Sequence, residues 1–141
     1  MKVLLINGSP KENGNTFQAL AEVANTLNAE GIDTETVSIG KKAVQGCIAC
    51  GMCGRTGKCT FNDDLYYQVW RAVKDGICGL VVGSPVYYGG PNGSLCAFLD
   101  RMFYSLGPLL EYKPAAGVVV CRRGGQENVD GAGRCHPLLS M

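Results

Sequence analysis

The stretch VLLINGSPKENGNT, residues 3–16, sets a short apolar run against a loop of small and polar residues. The run at residues 3–6 has the length and composition of a strand buried on both faces. A helical pattern follows the loop, with Asn15 as the expected N-cap and Gly31 as the expected stop. One apolar face of that pattern is formed by Phe17, Leu20, Ala21, Ala24 and Leu27. The stretch therefore predicts a strand, a loop and a helix, which is the opening unit of a parallel sheet.

The same unit recurs along the chain. Apolar runs at residues 77–82 and 115–121 predict two more strands buried on both faces, and the alternating segment 34–39 predicts an edge strand. Two further helical patterns end at Gly76 and at Gly107-Pro108. Their apolar faces comprise Leu65, Val69, Trp70 and Val73 in one, and Leu95, Phe98, Leu99 and Met102 in the other. This order predicts an α/β fold, an open parallel sheet with helices on both faces.

The chain length of 141 residues matches one domain. We expect that domain to occupy residues 1–125 and to be incomplete, because no helical or strand pattern follows the fourth predicted strand. Residues 126–141 are expected to form an irregular tail. The uncovered fourth strand makes a homo-oligomer, in which a partner covers it, the expected assembly.

Composition excludes several classes of function. Hydrophobic residues make up 46% of the chain and charged residues 18%, which indicates a folded core. The net charge of +1 argues against partners such as nucleic acid or an anionic membrane. No apolar run is long enough for a signal peptide or a membrane span, so we expect a cytoplasmic protein. Its eight cysteines are then expected to bind metal or to be redox-active.

The loop at residues 7–16 has the features of a phosphate site. Ligands of open parallel sheets bind beyond the carboxyl ends of the strands, and a helix N-terminus attracts anions. Ser9, Asn15 and Thr16 add neutral donors there. The glycine spacing and the absence of lysine at position 15 exclude a P-loop, and the dinucleotide fingerprint is missing. The alternative is an ordinary turn that caps a helix.

Two later loops follow the next predicted strands. Residues 83–93 contain prolines that fix the backbone, and Tyr87 and Tyr88 can lie against a planar ring. Residues 121–125 contain Arg122 and Arg123, whose charges can face the electron-rich edge of such a ring. The alternatives are tyrosines that pack internally and arginines on a solvated face.

These three loops, in this order, resemble the NADPH-dependent FMN reductase family of the flavodoxin-like fold. The resemblance rests on the motifs Gly-Ser-Pro-x-x-x-Gly-Asn-Thr, Ser-Pro-Val-Tyr-Tyr-Gly and Cys-Arg-Arg-Gly-Gly. It implies that the FMN phosphate and ribityl chain are surrounded by Ser9, Lys11, Asn15 and Thr16. It implies that the isoalloxazine ring is lined by Pro85, Val86, Tyr87, Tyr88 and Gly89, and that its polar side is closed by Arg122, Arg123, Gly124 and Gly125. Family members continue through a fifth strand and a last helix, which this sequence does not show.

The resemblance also implies an activity. Electrons would pass from NAD(P)H through FMN to a small-molecule or protein acceptor, with no side chain acting as nucleophile or general base. Two alternatives remain open. One is a flavin-binding electron carrier without a substrate of its own, and the other is an inactive, shortened relative that acts as an interaction module.

Four cysteines share one loop-like stretch with the spacing C-x2-C-x2-C-x5-C. They are Cys47, Cys50, Cys53 and Cys59. Closely spaced thiolates can converge on one centre, and the pattern resembles the motif of iron-sulfur flavoproteins, a subgroup of the same family. The resemblance implies a 4Fe-4S cluster, while structural zinc and redox-active thiols remain alternatives. Cys78, Cys96 and Cys121 are expected to be small buried hydrophobes, and no ligand spacing supports a metal role for His136.

Overall fold

A parallel sheet runs through the centre of the protein, which a computed structural model describes for residues 1–125. Its strands are β1 (Lys2–Asn7), β2 (Asp33–Ser38), β3 (Gly79–Tyr87), β4 (Gly90–Pro91) and β5 (Ala115–Val120). The parallel strands lie in the order β2, β1, β3, β5, and β4 pairs antiparallel with the end of β3. All four parallel strands therefore end at one edge of the sheet, where their loops meet.

Helices cover both faces of this sheet. They are α1 (Asn15–Ala29), α2 (Met52–Thr56), α3 (Asp64–Gly76) and α4 (Gly93–Leu110). β1 shows how the faces divide, because Leu4 belongs to the core beneath α3 and α4 whereas Leu5 belongs to the core beneath α1. The predicted open parallel sheet with helices on both faces is confirmed. No helix within residues 1–125 is long and apolar enough to cross a membrane.

Local hydrogen bonds explain where the helices begin. The Asp63 carboxylate accepts the amide of Tyr66 at 2.9 Å and caps α3. The prediction of Asn15 as the N-cap of α1 is wrong, because Gly14 takes that position and Asn15 is the exposed first helical residue. Gly14 offers no side-chain acceptor, so the first-turn amides of α1 have none at the N-cap.

The predicted end of α4 at Gly107-Pro108 is also wrong, because the helix continues to Leu110. Proline has no amide to donate to the carbonyl oxygen of Tyr104, so the helix lacks one backbone hydrogen bond in this turn. Leu106 is fully buried and Leu110 packs against the same core, so apolar contacts hold the last turn.

The burial predicted for the last strand is wrong too. Ala115, Ala116 and Gly117 are exposed and the other three residues of β5 are half-buried. Within residues 1–125, β5 pairs only with β3, so it forms an edge. The predicted edge position of β2 is confirmed, since it pairs only with β1 in the same range. The predicted irregular tail, with Cys135 and His136, lies outside the described residues.

The backbone of the loop after β1 lies unusually close to its neighbours. A Cβ atom placed on Gly8 would lie 2.5 Å from Leu95 Cδ2 and 2.6 Å from the carbonyl oxygen of Gly83. The second neighbour is backbone, which cannot move aside as a side chain can. Glycine at position 8 therefore allows the β1 loop to pack directly on β3.

We expect Gly8→Ala to lower the free energy of unfolding by about 1–3 kcal/mol through overpacking. Gly93→Ala is the matched control, because a Cβ at that helical position would meet nothing within 4 Å apart from its chain neighbours and its own helix backbone. It should be neutral or stabilising by up to about 1 kcal/mol. Urea denaturation of both variants measures the difference, and equal stabilities would contradict the close packing at Gly8.

Candidate functional site

Three loops meet at the carboxyl edge of the sheet: the first loop (residues 7–16), the second loop (residues 83–93) and the third loop (residues 121–125). The amide of Gly8 donates to the carbonyl oxygen of Gly83 at 2.7 Å, joining the first two. A Cβ atom on Gly125 would lie 3.2 Å from Val86 Cγ1 and 3.4 Å from Gly89 Cα, so the third loop touches the second. The structure therefore brings the three predicted ligand loops together.

Buried polar contacts fix the shape of the first loop. Asn7 is fully buried, its Oδ1 accepting the amide of Ser9 at 3.0 Å and its Nδ2 donating to Ser38 Oγ at 3.2 Å. Ser9 Oγ in turn accepts the amide of Lys11 at 3.2 Å. The loop thus curls around its own serine before it enters α1.

The four predicted phosphate-site residues divide by exposure. Ser9 and Thr16 are buried, whereas Lys11 and Asn15 are exposed. The buried pair therefore lies at the base of the loop, and the exposed pair offers a cation and an amide to an anion arriving from solvent. The uncapped first turn of α1 adds backbone N–H groups at the same place.

The second loop contains a tight hairpin between β3 and β4. Tyr87 pairs with Gly90, and the two residues between them, Tyr88 and Gly89, have φ values of 51° and 73°. Positive φ at both positions is typical of the mirrored two-residue turn, and it strains a tyrosine. Tyr88 is fully exposed and Tyr87 about half-exposed, so neither ring packs in the core.

The other residues predicted to line a planar ligand lie beside this hairpin. Pro85 and Val86 are half-buried at the end of β3. Arg122, Arg123 and Gly124 are exposed, and Gly125 is half-buried with a φ of 96°. The arginines are therefore at the surface, in the same loop as Gly125, which contacts the hairpin.

Sequence patterns missed Asn92, which ties the first two loops to α4. Its Nδ2 donates to the carbonyl oxygen of Gly8 at 2.8 Å, and its Oδ1 accepts the amide of Ser94 at 2.9 Å as the N-cap of α4. Its own amide donates to Ser84 Oγ at 3.1 Å. Its position before an apolar helical pattern was the available signal for the cap, but nothing in the sequence indicates the bond to Gly8.

The four cysteines of the C-x2-C-x2-C-x5-C motif line a single cavity of about 130 Å³. We call residues 45–63 the cysteine loop. It includes the short helix α2, which the prediction of a plain loop missed, and it lies against α4, which supplies Arg101 and Tyr104 to the cavity. Cys47 and Cys50 are exposed, whereas Cys53 and Cys59 are half-buried.

The four cysteine sulfurs that line the cavity are donors of the kind that bind iron or zinc as thiolates. The pKa of Cys50 lies below that of an ordinary thiol because the backbone of Met52, and then the side chain of Thr60, hydrogen-bond to its sulfur. Within residues 1–125, however, no three cysteine, histidine or acidic side chains stand close enough to hold one metal ion. The four cysteines fit an iron-sulfur cluster in number and in chemistry. To ligate one, their side chains would have to move closer together than they stand here.

The other three cysteines within residues 1–125 differ from one another. Cys78 is half-buried and packs against the core beneath α1, and Cys96 is half-buried on α4. The prediction of a buried hydrophobe is wrong for Cys121, which is exposed because it follows the edge strand β5.

Comparison with known proteins gives one family. The model of the NADPH-dependent FMN reductase family matches residues 1–132. An iron-sulfur flavoprotein of Methanocaldococcus jannaschii is 39% identical over 130 residues, covering 90% of this chain and 66% of the relative. An iron-sulfur flavoprotein of Archaeoglobus fulgidus is 33% identical over 121 residues, covering 85% of this chain and 54% of the relative. The chain thus spans between half and two thirds of the length of these relatives.

Solved structures share the fold. RosB with the bound intermediate 8-demethyl-8-formylriboflavin-5'-phosphate matches with a TM-score of 0.70 at 16% identity, over 94% of this chain and 56% of that one. The apo form of an NADH:FMN oxidoreductase matches with a TM-score of 0.64 at 23% identity, over 98% of this chain and 67% of that one. The expected flavodoxin-like fold is confirmed.

Replacement of Asn92 tests how the loops are held. Asn92→Ala removes a helix cap and leaves the Gly8 carbonyl without this donor, so we expect a loss of about 2–4 kcal/mol in the free energy of unfolding. Asn28→Ala is the control, since the Asn28 side chain only accepts a bond from Thr34 on the exposed surface. It should cost no more than about 0.5 kcal/mol. Equal losses in urea denaturation would show that Asn92 does not hold the loops.

Proposed function

The chain belongs to the NADPH-dependent FMN reductase family, and we propose that it binds FMN at the three loops and serves as an NAD(P)H-dependent oxidoreductase. The observation that carries this proposal is the contact of all three loops at one edge of the sheet. One backbone bond, from Gly8 to Gly83, joins the first two, and Gly125 packs on Val86 and Gly89 to join the third.

The first loop would hold the FMN phosphate. Backbone amides at the start of α1 have no side-chain acceptor at the N-cap, and a phosphate can accept them. Ser9 and Thr16 would donate from the base of the loop, while Lys11 and Asn15 would approach from its exposed rim. The absence of a P-loop lysine favours holding a monoester over transferring a phosphoryl group.

The second and third loops would hold the flavin ring. The backbone from Pro85 to Gly89 is rigid, because a proline and a tight turn fix it, and it places the Tyr87 and Tyr88 rings at the surface. Arg122 and Arg123 would keep positive charge near the ring's polar side, which favours the flavin when it gains electrons. FMN supplies the hydride and electron chemistry, and the protein binds and orients it.

We further propose that Cys47, Cys50, Cys53 and Cys59 hold a 4Fe-4S cluster. Their shared cavity and the name of the matched relatives support this assignment. Such a cluster would pass electrons one at a time, which suits a protein or small-molecule acceptor. Residues 1–125 would then form an FMN-binding domain that carries both redox sites.

The phosphate assignment predicts a preference for FMN over riboflavin. Hydrogen bonds from Ser9 and Thr16 to the charged phosphate should make FMN bind on the order of 100-fold more tightly than riboflavin. Thr16→Val should lower the affinity for FMN about ten-fold and leave the affinity for riboflavin unchanged. Thr26→Val, on the exposed part of α1, should alter neither affinity. Fluorescence titration of the full chain measures all three proteins.

Equal affinities for FMN and riboflavin would contradict the phosphate site. NADPH consumption with an added quinone, followed by absorbance, tests the reductase activity in the same preparation. FMN binding without NADPH or NADH consumption would contradict the oxidoreductase and favour an electron carrier.

The cysteine assignment predicts iron and acid-labile sulfide in anaerobically purified protein. Cys53→Ala should lose both, because one of four thiolate ligands is gone. Cys78→Ala should keep both, because Cys78 packs against the core beneath α1, away from the cysteine cavity. FMN binding should survive in each variant. Zinc without sulfide in the wild-type protein would contradict the cluster and indicate the zinc alternative.

A further inference from the structure

One charged side chain is fully buried beside the cysteine cavity. The side chain of Arg101, on α4, has 0% exposure. No other lysine, arginine, aspartate or glutamate of residues 1–125 is buried. Burying a guanidinium is costly unless its partners compensate it, so its surroundings indicate what it is for.

The guanidinium holds both ends of the cysteine loop. Its Nη1 donates to the carbonyl oxygen of Gln45 at 3.2 Å, two residues before the first cysteine. Its Nη2 donates to the carbonyl oxygen of Phe61, two residues after the last cysteine, and lies 2.6 Å from Asp63 Oδ2. One side chain therefore closes the loop in which all four cysteines lie.

A second set of bonds joins the same helix to Cys59. The Cys59 amide donates to the Tyr66 hydroxyl at 2.9 Å, which donates to Ser105 Oγ at 2.7 Å. Ser105 Oγ then donates to the Arg101 carbonyl oxygen at 2.7 Å. The Arg101 guanidinium also lies over the Tyr66 ring, 5.3 Å from its centroid. Position 59 is thus held to the helix turn that carries Arg101.

One donor of this guanidinium has no acceptor. Arg101 Nε is buried and makes no hydrogen bond within the described residues, although Arg101 lines the cavity with the four cysteines. A buried N–H without an acceptor costs free energy, and a buried positive charge favours an anion nearby. Four thiolates around a cluster are such an anion.

We propose that Arg101 is a positioning residue for the redox group held by the four cysteines: it closes the cysteine loop and sets the reduction potential of that group through its buried charge. This inference rests on the cysteine site of the proposed function. It adds a residue that the cysteine spacing does not reveal.

Two substitutions separate the effect of the Arg101 charge from the clamp, by which we mean the hydrogen bonds that Arg101 makes to both ends of the cysteine loop. Arg101→Met removes both, so we expect iron affinity against a chelator to fall about ten-fold and the midpoint potential of any retained cluster to become more negative. Arg101→Lys keeps the charge but loses the planar fork, so its potential should stay near that of the wild type while iron affinity still falls. Arg71→Met, an exposed position on α3, should change neither.

Asp63→Asn gives a test with the opposite sign. Asparagine can keep the cap on α3, so this variant is expected to fold even where Arg101→Met does not. Removing the carboxylate charge leaves the guanidinium less compensated, and the midpoint potential should become more positive. Opposite shifts in Asp63→Asn and Arg101→Met would support a charge effect, since loss of structure alone gives no such reversal.

The effect of the clamp on the cysteine loop can be measured in protein that contains no cluster. In metal-free protein, trypsin cleavage after Arg55 and Lys58 should be about ten-fold faster in Arg101→Met and unchanged in Arg71→Met. Unchanged cleavage, iron affinity and potential in Arg101→Met would overturn the inference. Iron loss in both Arg101 variants with no change in potential in any variant would overturn its electrostatic part. A wild-type protein that takes up no iron would instead refute the proposed cluster, and the cleavage rates would still decide the clamp.

Discussion

The arrangement of the loops at the carboxyl edge of the sheet depends on the close approach of the backbones at Gly8 and Gly83. The amide of Gly8 reaches the carbonyl oxygen of Gly83 at 2.7 Å, and a Cβ atom at either position would collide with its surroundings. Strand pairing alone brings β1 and β3 together only as far as Asn7 and Gly83. The glycine contact extends that pairing into the loops, and Asn92 fastens the result to α4. The first loop and the second loop are therefore held together as one unit.

The helix α4 connects the two candidate redox sites. Its N-cap, Asn92, contacts the first loop, and about two turns into the helix Arg101 contacts the cysteine loop. Each contact is made by a polar side chain that is itself buried: the amide of Asn92 at the start of the helix and the guanidinium of Arg101 within it. A change in the packing of α4 would alter both sites, whereas a change confined to one loop would alter only the site to which that loop belongs.

Much of this arrangement could be read from the sequence, since period and turn chemistry are local. The strands, three of the helices and the order of the loops follow from apolar runs and from glycine and proline positions. The burial and contacts of Arg101 could not be read, because an arginine on a helix usually extends into solvent and only the packed cysteine loop supplies its acceptors. The helix continuing past Pro108 was missed for the same reason, since Leu106 and Leu110 stabilise that turn through tertiary contacts.

The central claim, that three loops form one mononucleotide site, is tested most directly by backbone amide NMR of the isotopically labelled full chain during titration with FMN. If the three loops form one site, FMN should shift the amides of Ser9, Thr16, Gly89 and Gly125 together, while those of β2 and α3 stay in place. Riboflavin should shift the hairpin and third-loop amides but leave those of Ser9 and Thr16 unchanged. Shifts confined to one loop, or centred elsewhere on the protein, would contradict a shared site.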